Sequence, residues 1–293
     1  PPDPAGPGPV EPAAAGSARA TAGRAGIEVR VELSTLLGLD EHPGEVPGLG
    51  PVTAGTARRA VARQPRAEWR FAVTDAEGRA VFDGVTRRRP RATRRTGPRG
   101  GVVELHVPAS LLAELTADGA SRYGAWAGVI TDLAEQYAHR GRRDLDSEPH
   151  ARFPRAALRR HVQIRDRVCT FPGCRAPARR ADADHTRDHA LGGRTVAGEL
   201  GAVCRHDHLL KQRGWSLEQP EPGVFVWTSP LGRSYRVRPE PVLPPLPGPV
   251  PAAPEPSLAE PAPRSGEPRA PRHSGRDPPG EDPAPEDSSP GDG

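Results

Sequence analysis

The chain has no methionine, a single lysine (Lys211) and few aromatic residues, which make up 4% of its 293 residues. No stretch approaches the roughly 18 consecutive apolar residues that a membrane-spanning helix requires. No charged segment followed by an apolar one, as in a secretory signal, opens the chain either. We therefore expect no membrane partner. Because methionine is absent, Pro1 is not an initiating residue, and we expect a fragment or a processed form of a longer protein.

Cysteine is also scarce, and its placement is informative. The chain has 3 cysteines, Cys169, Cys174 and Cys204, and all of them lie in one short stretch. An odd number cannot form a complete disulfide framework, which argues against a secreted, disulfide-stabilised domain. The cysteines instead predict a metal site and a cytoplasmic location.

Proline and glycine are abundant, and they divide the chain. The 38 prolines and 33 glycines approach the share found in low-complexity chains, so one compact domain cannot use every residue. Residues 1–25 and 239–293 are rich in Pro, Ala, Gly and acidic residues, and we predict that both are disordered. Segments such as PPLPGP in the tail could bind protein partners as polyproline helices. The region between them divides into a small α+β domain at 26–150 and a second domain at 152–238.

Hydrophobic periodicity places the main elements of this middle region. Alternation predicts strands at 27–33 and 101–108, and helical spacing predicts helices at 110–116, 126–138 and 155–168. Residues 215–237 are typical of β-hairpins. The aromatic residues near these runs are predicted to belong to the core rather than to a base-stacking surface: Trp69, Tyr123, Trp126 and Tyr137. The run at 87–99 contains seven arginines and no acid, and we interpret it as a solvated loop, with a phosphate-contacting loop as the alternative.

Positive charge is concentrated in the second domain. Residues 152–213 contain 14 Arg or Lys against 6 Asp or Glu, a net charge of +8 in a chain whose total is +4. Neutralisation of phosphates supplies most of the non-specific affinity of proteins for nucleic acids. The charge therefore predicts DNA as a partner of this region.

Two pairs of residues predict a structural zinc site. Cys169 and Cys174 form one pair, and Cys204 and Asp207 form the other, so that two turns offer four ligands to a closed tetrahedral site. His206 could replace Asp207 as the fourth ligand, because three thiolates with a histidine are a commoner set. The alternative is that the cysteines are buried free thiols.

A second constellation predicts a catalytic divalent ion. Asp184 and His208 could bind one hard cation such as Mg²⁺ or Mn²⁺, while neutral His185 takes a proton from an attacking water. The sequence ADADH suits a strand, which places Asp184 and His185 on opposite sides of the backbone. The sequence CRHDHLLKQ suits a helix with Cys204 and His208 on one face, and a Gly-Gly pair at 192–193 reverses the chain between the two.

These motifs together resemble the HNH nuclease family, whose site is a ββα-metal finger, and in particular the bacterial HNH proteins of the 13E12 repeat type. The similarity rests on CTFPGC at 169–174, DADH at 182–185, GGRT at 192–195 and CRHDHLLK at 204–211. It continues in GW at 214–215 and WTSPLG at 227–232. Residues 33–52 resemble the upstream domain of unknown function in these proteins.

The resemblance implies a fold and a reaction. The fold class is α+β, with a small C-terminal ββα-metal finger flanked by a helix and β-hairpins, and a small α+β domain upstream. His185 would be the general base, Asp184 and His208 would bind the catalytic ion, and nearby basic residues would contact DNA: Arg187, Arg194, Arg205 and Lys211. The reaction would be hydrolysis of DNA phosphodiester bonds, with no small-molecule cofactor.

The sequence departs from the family pattern at three positions. Glu199 replaces the asparagine that gives the family its N, and it could act as a further metal ligand or reduce activity. Asp207 replaces the first histidine of the helix, and Ala181 replaces a cysteine. These departures keep two other functions open. One is a zinc-stapled DNA-binding module that is catalytically impaired, and the other is an interaction protein that works through its proline-rich tail.

Overall fold

The described residues fold as a mixed α+β structure with three β-sheets, which confirms the predicted α+β class. The computed structural model describes residues 26–90 and 98–243. Its elements are β1 (Glu28–Glu32), α1 (Leu33–Leu37), β2 (Gly44–Val46), β3 (Gly50–Val52), α2 (Ala54–Ala62), β4 (Glu68–Thr74), β5 (Ala80–Val85), β6 (Val102–Pro108), α3 (Ala109–Ala117), α4 (Ala127–Ala138), α5 (Ala156–Asp166), β7 (Asp182–His185), β8 (Leu200–Val203), α6 (Arg205–Lys211), β9 (Ser216–Glu221), β10 (Val224–Thr228) and β11 (Ser234–Val237). Within these ranges no helix has the length and apolar character needed to cross a bilayer.

Three sequence predictions concern residues outside the described part. These are the disordered leader at 1–25, the centre of the arginine run at 91–97, and the tail from residue 244 onward. The first residues assigned to the tail are described, and they pack onto the upstream sheet. The N–H of Leu243 donates to the carbonyl of Gly78 over 3.1 Å, and Val242 is buried in a cluster with Ala72 and Ile164. Residues 239–243 therefore continue the folded structure.

A six-stranded sheet organises the upstream half, in the order β3-β2-β1-β6-β4-β5. Strands β1, β6 and β4 run parallel, and the outer strands pair antiparallel. One face carries alternate apolar residues such as Val31, Leu105 and Phe71, and α1 to α4 cover it to form the main core. The predicted strands and helices of this half are confirmed to within two residues at each end. The four aromatic residues assigned to the core also pack there, with Trp69 buried and the other three at its edge.

The opposite face of this sheet is charged, yet it is also buried. Glu28 and Arg30, the polar residues of the alternating run in β1, are both enclosed. Arg30 Nε lies 3.0 Å from Glu28 Oε1 and 3.6 Å from Glu104 Oε1. Burial alone would raise the pKa of Glu104, but Arg30 and then His106 outweigh it and hold that pKa at about 2. The buried charges of this face are therefore paired with one another.

Helix α5 and the residue after it supply the cover for the charged face. Gln163 on α5 accepts a hydrogen bond from Arg70 Nη1 over 2.8 Å, and Arg167 Nη2 lies 2.6 Å from Glu45 Oε2. Arg167 has φ +60, and α5 ends just before it. The predicted helix at 155–168 is therefore found, although it stops two residues earlier.

The remaining elements form the second half. Strands β7 and β8 pair antiparallel, and α6 follows β8 directly. Arg165 on α5 donates to the carbonyls of Ala197 and Leu200, and Asp166 accepts the N–H of Ala202, so that α5 holds β8 in place. Strands β9, β10 and β11 form an antiparallel sheet, as the hairpin pattern predicted.

Candidate functional site

The cysteines meet Asp207 in one compact cluster. Asp207 Oδ2 lies 3.2 Å from Cys169 Sγ and 3.1 Å from Cys204 Sγ. With Cys174 included, the four ligand atoms lie within 4.8 Å of one another. The N–H of Cys204 also donates to Cys169 Sγ over 3.2 Å, a contact that favours the thiolate form. This set of donors fits one tetrahedral zinc ion.

Local structure explains how each pair of ligands is formed. In the first pair, the Cys174 N–H donates to the carbonyl of Phe171 over 3.0 Å, and Gly173 adopts φ +77. This is the geometry of a type II turn, where the third residue needs a positive φ and is therefore glycine. In the second pair, Cys204 precedes the first turn of α6, and that turn brings Asp207 back beside it.

The structure favours Asp207 over His206 as the fourth ligand. The His206 side chain is 84% exposed, and its Nδ1 lies 2.8 Å from Asp207 Oδ1. It therefore supports the carboxylate from outside the cluster. Burial tends to raise the pKa of Asp207, but hydrogen bonds from His206 and the three thiols lower it overall. Burial raises the pKa of Cys169, and that of Cys174 to about 11, so a zinc ion would have to displace thiol protons on binding.

Asp184 and His208, the predicted ligands of the catalytic ion, meet at the junction of β7 and α6. Asp184 Oδ1 is 3.3 Å from His208 Nε2, and Asp182 Oδ2 is 3.8 Å from His208 Nδ1. Two ligands bound at right angles to one ion, each at ~2.1 Å, lie about 3 Å apart. The pair therefore suits one divalent ion that keeps water on its other positions. Cys204 and His208 were expected on one helix face. Cys204 belongs to the cysteine cluster, whereas His208 lies beside Asp184.

His185 is held in a defined protonation state. Its Nε2 lies 2.8 Å from Thr195 Oγ1, and the Thr195 hydroxyl donates to the carbonyl of Ala151. Because that carbonyl can only accept, the hydroxyl proton is committed to it, and His185 Nε2 must donate its own. The lone pair is then on Nδ1. Burial, together with His189, lowers the pKa of His185, which favours the neutral ring.

These groups face a common cleft of about 760 Å³. Asp184, His185 and His208, the residues predicted for the catalytic site, all line this cleft. The cleft has further lining residues that the sequence analysis did not assign: Arg152, Phe153, Arg159, Asp182, Asp188 and His189. The Phe153 side chain is 76% exposed, which is unusual for a large aromatic residue. The cleft thus combines acidic ligands, a neutral imidazole and arginines.

Lys211 and Glu199 make contacts that the sequence did not predict. Lys211 Nζ donates to Asp184 Oδ2 over 2.8 Å and to the His185 carbonyl over 2.5 Å. It is therefore committed to the site and is not positioned for a phosphate. Glu199 Oε2 accepts the N–H of Arg194 over 2.7 Å, and the Glu199 carbonyl accepts the N–H of Thr186. Glu199 therefore closes the loop between β7 and β8 and is not among the residues that line the cleft.

The glycine pair reverses this loop, as predicted. Gly192 adopts φ +89, and a Cβ on Gly193 would overlap the backbone of Arg187. Any other residue at position 193 would push the two sides of the loop apart. The side chains of Arg187, Arg194 and Arg205 are exposed, so they remain available to a ligand.

The residues that α5 and the segment before it contribute to the cleft were not assigned from the sequence. Arg152 and Arg159 were counted only in the regional charge, and Thr195 only as part of a motif. The contact of Ala151 with Thr195 joins residues 44 positions apart. The charge count was the one available signal for Arg152 and Arg159, whereas no local pattern marks Ala151.

Comparison with known proteins yields relatives of unassigned role. The chain is 41% identical over 143 residues to the uncharacterized protein Rv3776 of Mycobacterium tuberculosis, which covers 48% of this chain and 24% of the relative. It is 41% identical over 142 residues to the uncharacterized protein Rv2100 of the same species, covering 48% of this chain and 22% of the relative. The chain thus spans about a quarter of the length of these relatives. No protein-family model and no solved structure match it.

Proposed function

We propose that this chain is a metal-dependent DNA endonuclease of the HNH type, with β7, β8 and α6 as its ββα-metal finger. The observation that carries the proposal is the approach of Asp184 and His208 to 3.3 Å in a cleft that also contains His185. A carboxylate and an imidazole that share an ion, next to a neutral imidazole, are the groups that phosphodiester hydrolysis requires.

Each side chain of the site has its own role in the proposed reaction. Asp184 and His208 would hold Mg²⁺ or Mn²⁺, which when bound stabilises negative charge on the phosphate and on the leaving oxygen. His185 accepts a proton from the attacking water at Nδ1, because Nε2 is already committed to Thr195. Lys211 keeps Asp184 oriented through its second oxygen.

DNA would lie along the cleft and its rim. Arg152 and Arg159 line the cleft, Arg187 and Arg194 are exposed in the loop between β7 and β8, and Arg205 is exposed at the start of α6. One arginine side chain can donate hydrogen bonds to two phosphate oxygens at once, and it remains charged at all physiological pH values. Arg187, Arg194 and Arg205 were already in the predicted set, whereas Arg152 and Arg159 are added to it and Lys211 is left out.

The cysteine cluster would hold a structural zinc ion between the start of α6 and the hairpin sheet. Cys169 and the neighbouring Phe171 pack with the buried Phe225 and Trp227 of the hairpin sheet. Phe171 and Trp227 meet edge to face, with ring centroids 5.1 Å apart. Zinc bound here would tie α6, and with it His208, to that sheet. Thiol ligands of this kind persist in a reducing compartment, which supports a cytoplasmic location.

A DNA-binding module that does not cleave is the second candidate. Glu199 occupies the position of the family asparagine, and its charge lies near the loop that would meet an anionic strand. Lys211 already neutralises one oxygen of Asp184. Both observations favour a site that keeps DNA affinity while losing turnover.

A plasmid-nicking assay separates the two candidates. The zinc-loaded protein is mixed with supercoiled plasmid and Mg²⁺ or Mn²⁺, and the parent is compared with His185→Ala. His139→Ala serves as the matched control, because His139 is exposed and bonds only the carbonyl of Glu135 on its own helix. An endonuclease nicks in the parent and the control but not in His185→Ala. Retardation of DNA without nicking by any of the three proteins would leave only the binding module.

A further inference from the structure

A second group of metal-ligating side chains lies in the upstream half, far along the sequence from the finger. Glu32 is the last residue of β1, and Asp40 and His42 lie in the loop between α1 and β2. One ligand atom from each residue lies within 4.8 Å of the other two. This cluster plays no part in the proposed nuclease site.

The distances within the cluster suit ligands of one ion. His42 Nδ1 is 3.1 Å from Glu32 Oε1 and 3.5 Å from Asp40 Oδ2. Ligands bound at ~2.1 Å to one ion lie about 3.0–3.5 Å apart in octahedral or tetrahedral geometry. One nitrogen therefore faces two carboxylate oxygens at the spacing of a coordination shell.

Asp40 is held in the orientation that a ligand needs. Its Oδ1 accepts the Thr35 hydroxyl over 2.6 Å and the N–H of His42 over 3.1 Å. These bonds leave Oδ2 facing the imidazole. Hydrogen bonds to the second oxygen of a carboxylate are a common support for metal ligands.

An independent observation also points to a ligand. Glu32 and His42 line a cleft of about 460 Å³, and Thr74 lines the same cleft. Thr74 is 1% exposed, and its hydroxyl has no hydrogen-bond partner among the residues that the structure describes. A buried hydroxyl without a partner costs free energy, which a bound ion or its water would recover.

The location within the sheet is one that ligands commonly occupy. Strands β1, β6 and β4 are parallel, and their carboxyl ends, Glu32, Pro108 and Thr74, all border this cleft. Ligands of open sheets with parallel strands bind outside the carboxyl ends of those strands. The cleft therefore occupies the expected edge of the upstream sheet.

The acidic side chains that line the cleft favour a cation over an anion. Besides Glu32, its lining includes Asp75 and Glu77. An anion would be repelled by this lining, whereas a divalent cation would be attracted. One imidazole and two carboxylates suit a borderline ion such as Mn²⁺, Co²⁺, Ni²⁺ or Zn²⁺.

We propose that Glu32, Asp40 and His42 bind one divalent cation at the carboxyl ends of the parallel strands. The ion takes Glu32 Oε1, Asp40 Oδ2 and His42 Nδ1, and its remaining positions open into the cleft beside Thr74. The site is separate from the finger, so its occupancy does not depend on the nuclease proposal.

Mn²⁺ binding to the full chain, loaded beforehand with one equivalent of Zn²⁺ for the cysteine cluster, tests the proposal, with free Mn²⁺ counted by electron paramagnetic resonance. We expect His42→Ala to lose one bound equivalent, and Glu32→Gln, which keeps the shape of the side chain, to weaken that equivalent by roughly tenfold or more. His139→Ala should bind as the parent does. If His42→Ala and Glu32→Gln both bind the same number of Mn²⁺ equivalents as the parent, with the same affinity, the three side chains form only an ion pair. That result would overturn the proposal.

Two further measurements make the result independent of folding and of the finger. In the parent, Mn²⁺ should broaden the ring resonances of His42 before those of His139, and equal broadening of the two would overturn the proposal. His208→Ala removes a ligand only from the finger. If His208→Ala leaves Mn²⁺ binding unchanged while His42→Ala loses an equivalent, the upstream site stands and the finger site fails. The reverse pattern supports the finger and overturns the upstream site.

Discussion

The hydroxyl of Thr195 controls which nitrogen of His185 carries the proton, and Thr195→Val tests this directly. Valine has nearly the same shape but cannot accept from His185 Nε2 or donate to the carbonyl of Ala151. Thr195 is 2% exposed and His185 8%, so water does not readily replace the lost bonds. The imidazole then has no fixed partner, and either tautomer can form.

The expected size of the effect follows from these contacts. A buried polar group left without its partner costs ~1–3 kcal/mol, so the variant should be less stable by about 2 kcal/mol. The barrier to cleavage should rise by a similar amount because the ring is less well oriented, which lowers the rate about 10–100-fold. Loss of the base itself in His185→Ala should cost more, up to ~10⁴-fold.

Single-turnover plasmid nicking with Mn²⁺ measures the rate, and ¹⁵N chemical shifts of the His185 ring report the tautomer. Thr228→Val is the matched control, because the Thr228 hydroxyl contacts only Ser234 in an exposed hairpin. The reasoning is refuted if Thr195→Val nicks at the parent rate, or if the ring of the parent carries its proton on Nδ1.

Three further predictions concern the zinc cluster, acid stability and DNA binding. Asp207→Ala should weaken zinc by roughly 100-fold or more, measured by competition with a chromophoric chelator, whereas equal affinity would show that Asp207 is not a ligand. Burial opposes ionisation of Asp83, but hydrogen bonding to His161 outweighs it and lowers the pKa of Asp83. The stability from this pair is therefore present above the unfolded pKa, ~3.9, and is lost as pH falls through the lower folded value. Asp83→Asn should cost about 2 kcal/mol in urea unfolding at pH 7, with the difference from the parent shrinking in acid, and a constant difference would contradict this. Arg205→Ala should lower the salt slope of DNA binding by about 1, and Lys211→Met should leave it unchanged, because Lys211 is committed to Asp184. A lower salt slope of DNA binding in Lys211→Met would show that Lys211 contacts DNA.

Much of the local structure could be predicted because its causes are local. The period of apolar residues in β6 and α4 is set by the geometry of strands and helices, and it identified both. Short spacings also predicted the cysteine pairs, because one turn joins each pair. The choice of Asp207 over His206 was left open, since both residues neighbour Cys204 in sequence and only the direction of α6 separates them.

Contacts between distant segments were decided by the tertiary structure. The charged face of β1 is buried because Arg167, which follows α5, packs on it, although alternation of apolar and polar residues is typical of a strand with one solvated face. Lys211 turns inward because β7 brings Asp184 within 2.8 Å of it.

The sequence by itself therefore determined the residue types that could bind metal and the elements that carry them, because periodicity and short turns act over a few residues. The protonation state of His185, the lining of its cleft and the cluster of Glu32 with His42 were decided by the tertiary structure alone. Each depends on which surfaces are packed away from water and which carbonyl or carboxylate meets a given donor. Those contacts join residues separated by 10 to 44 positions, and no local pattern encodes them.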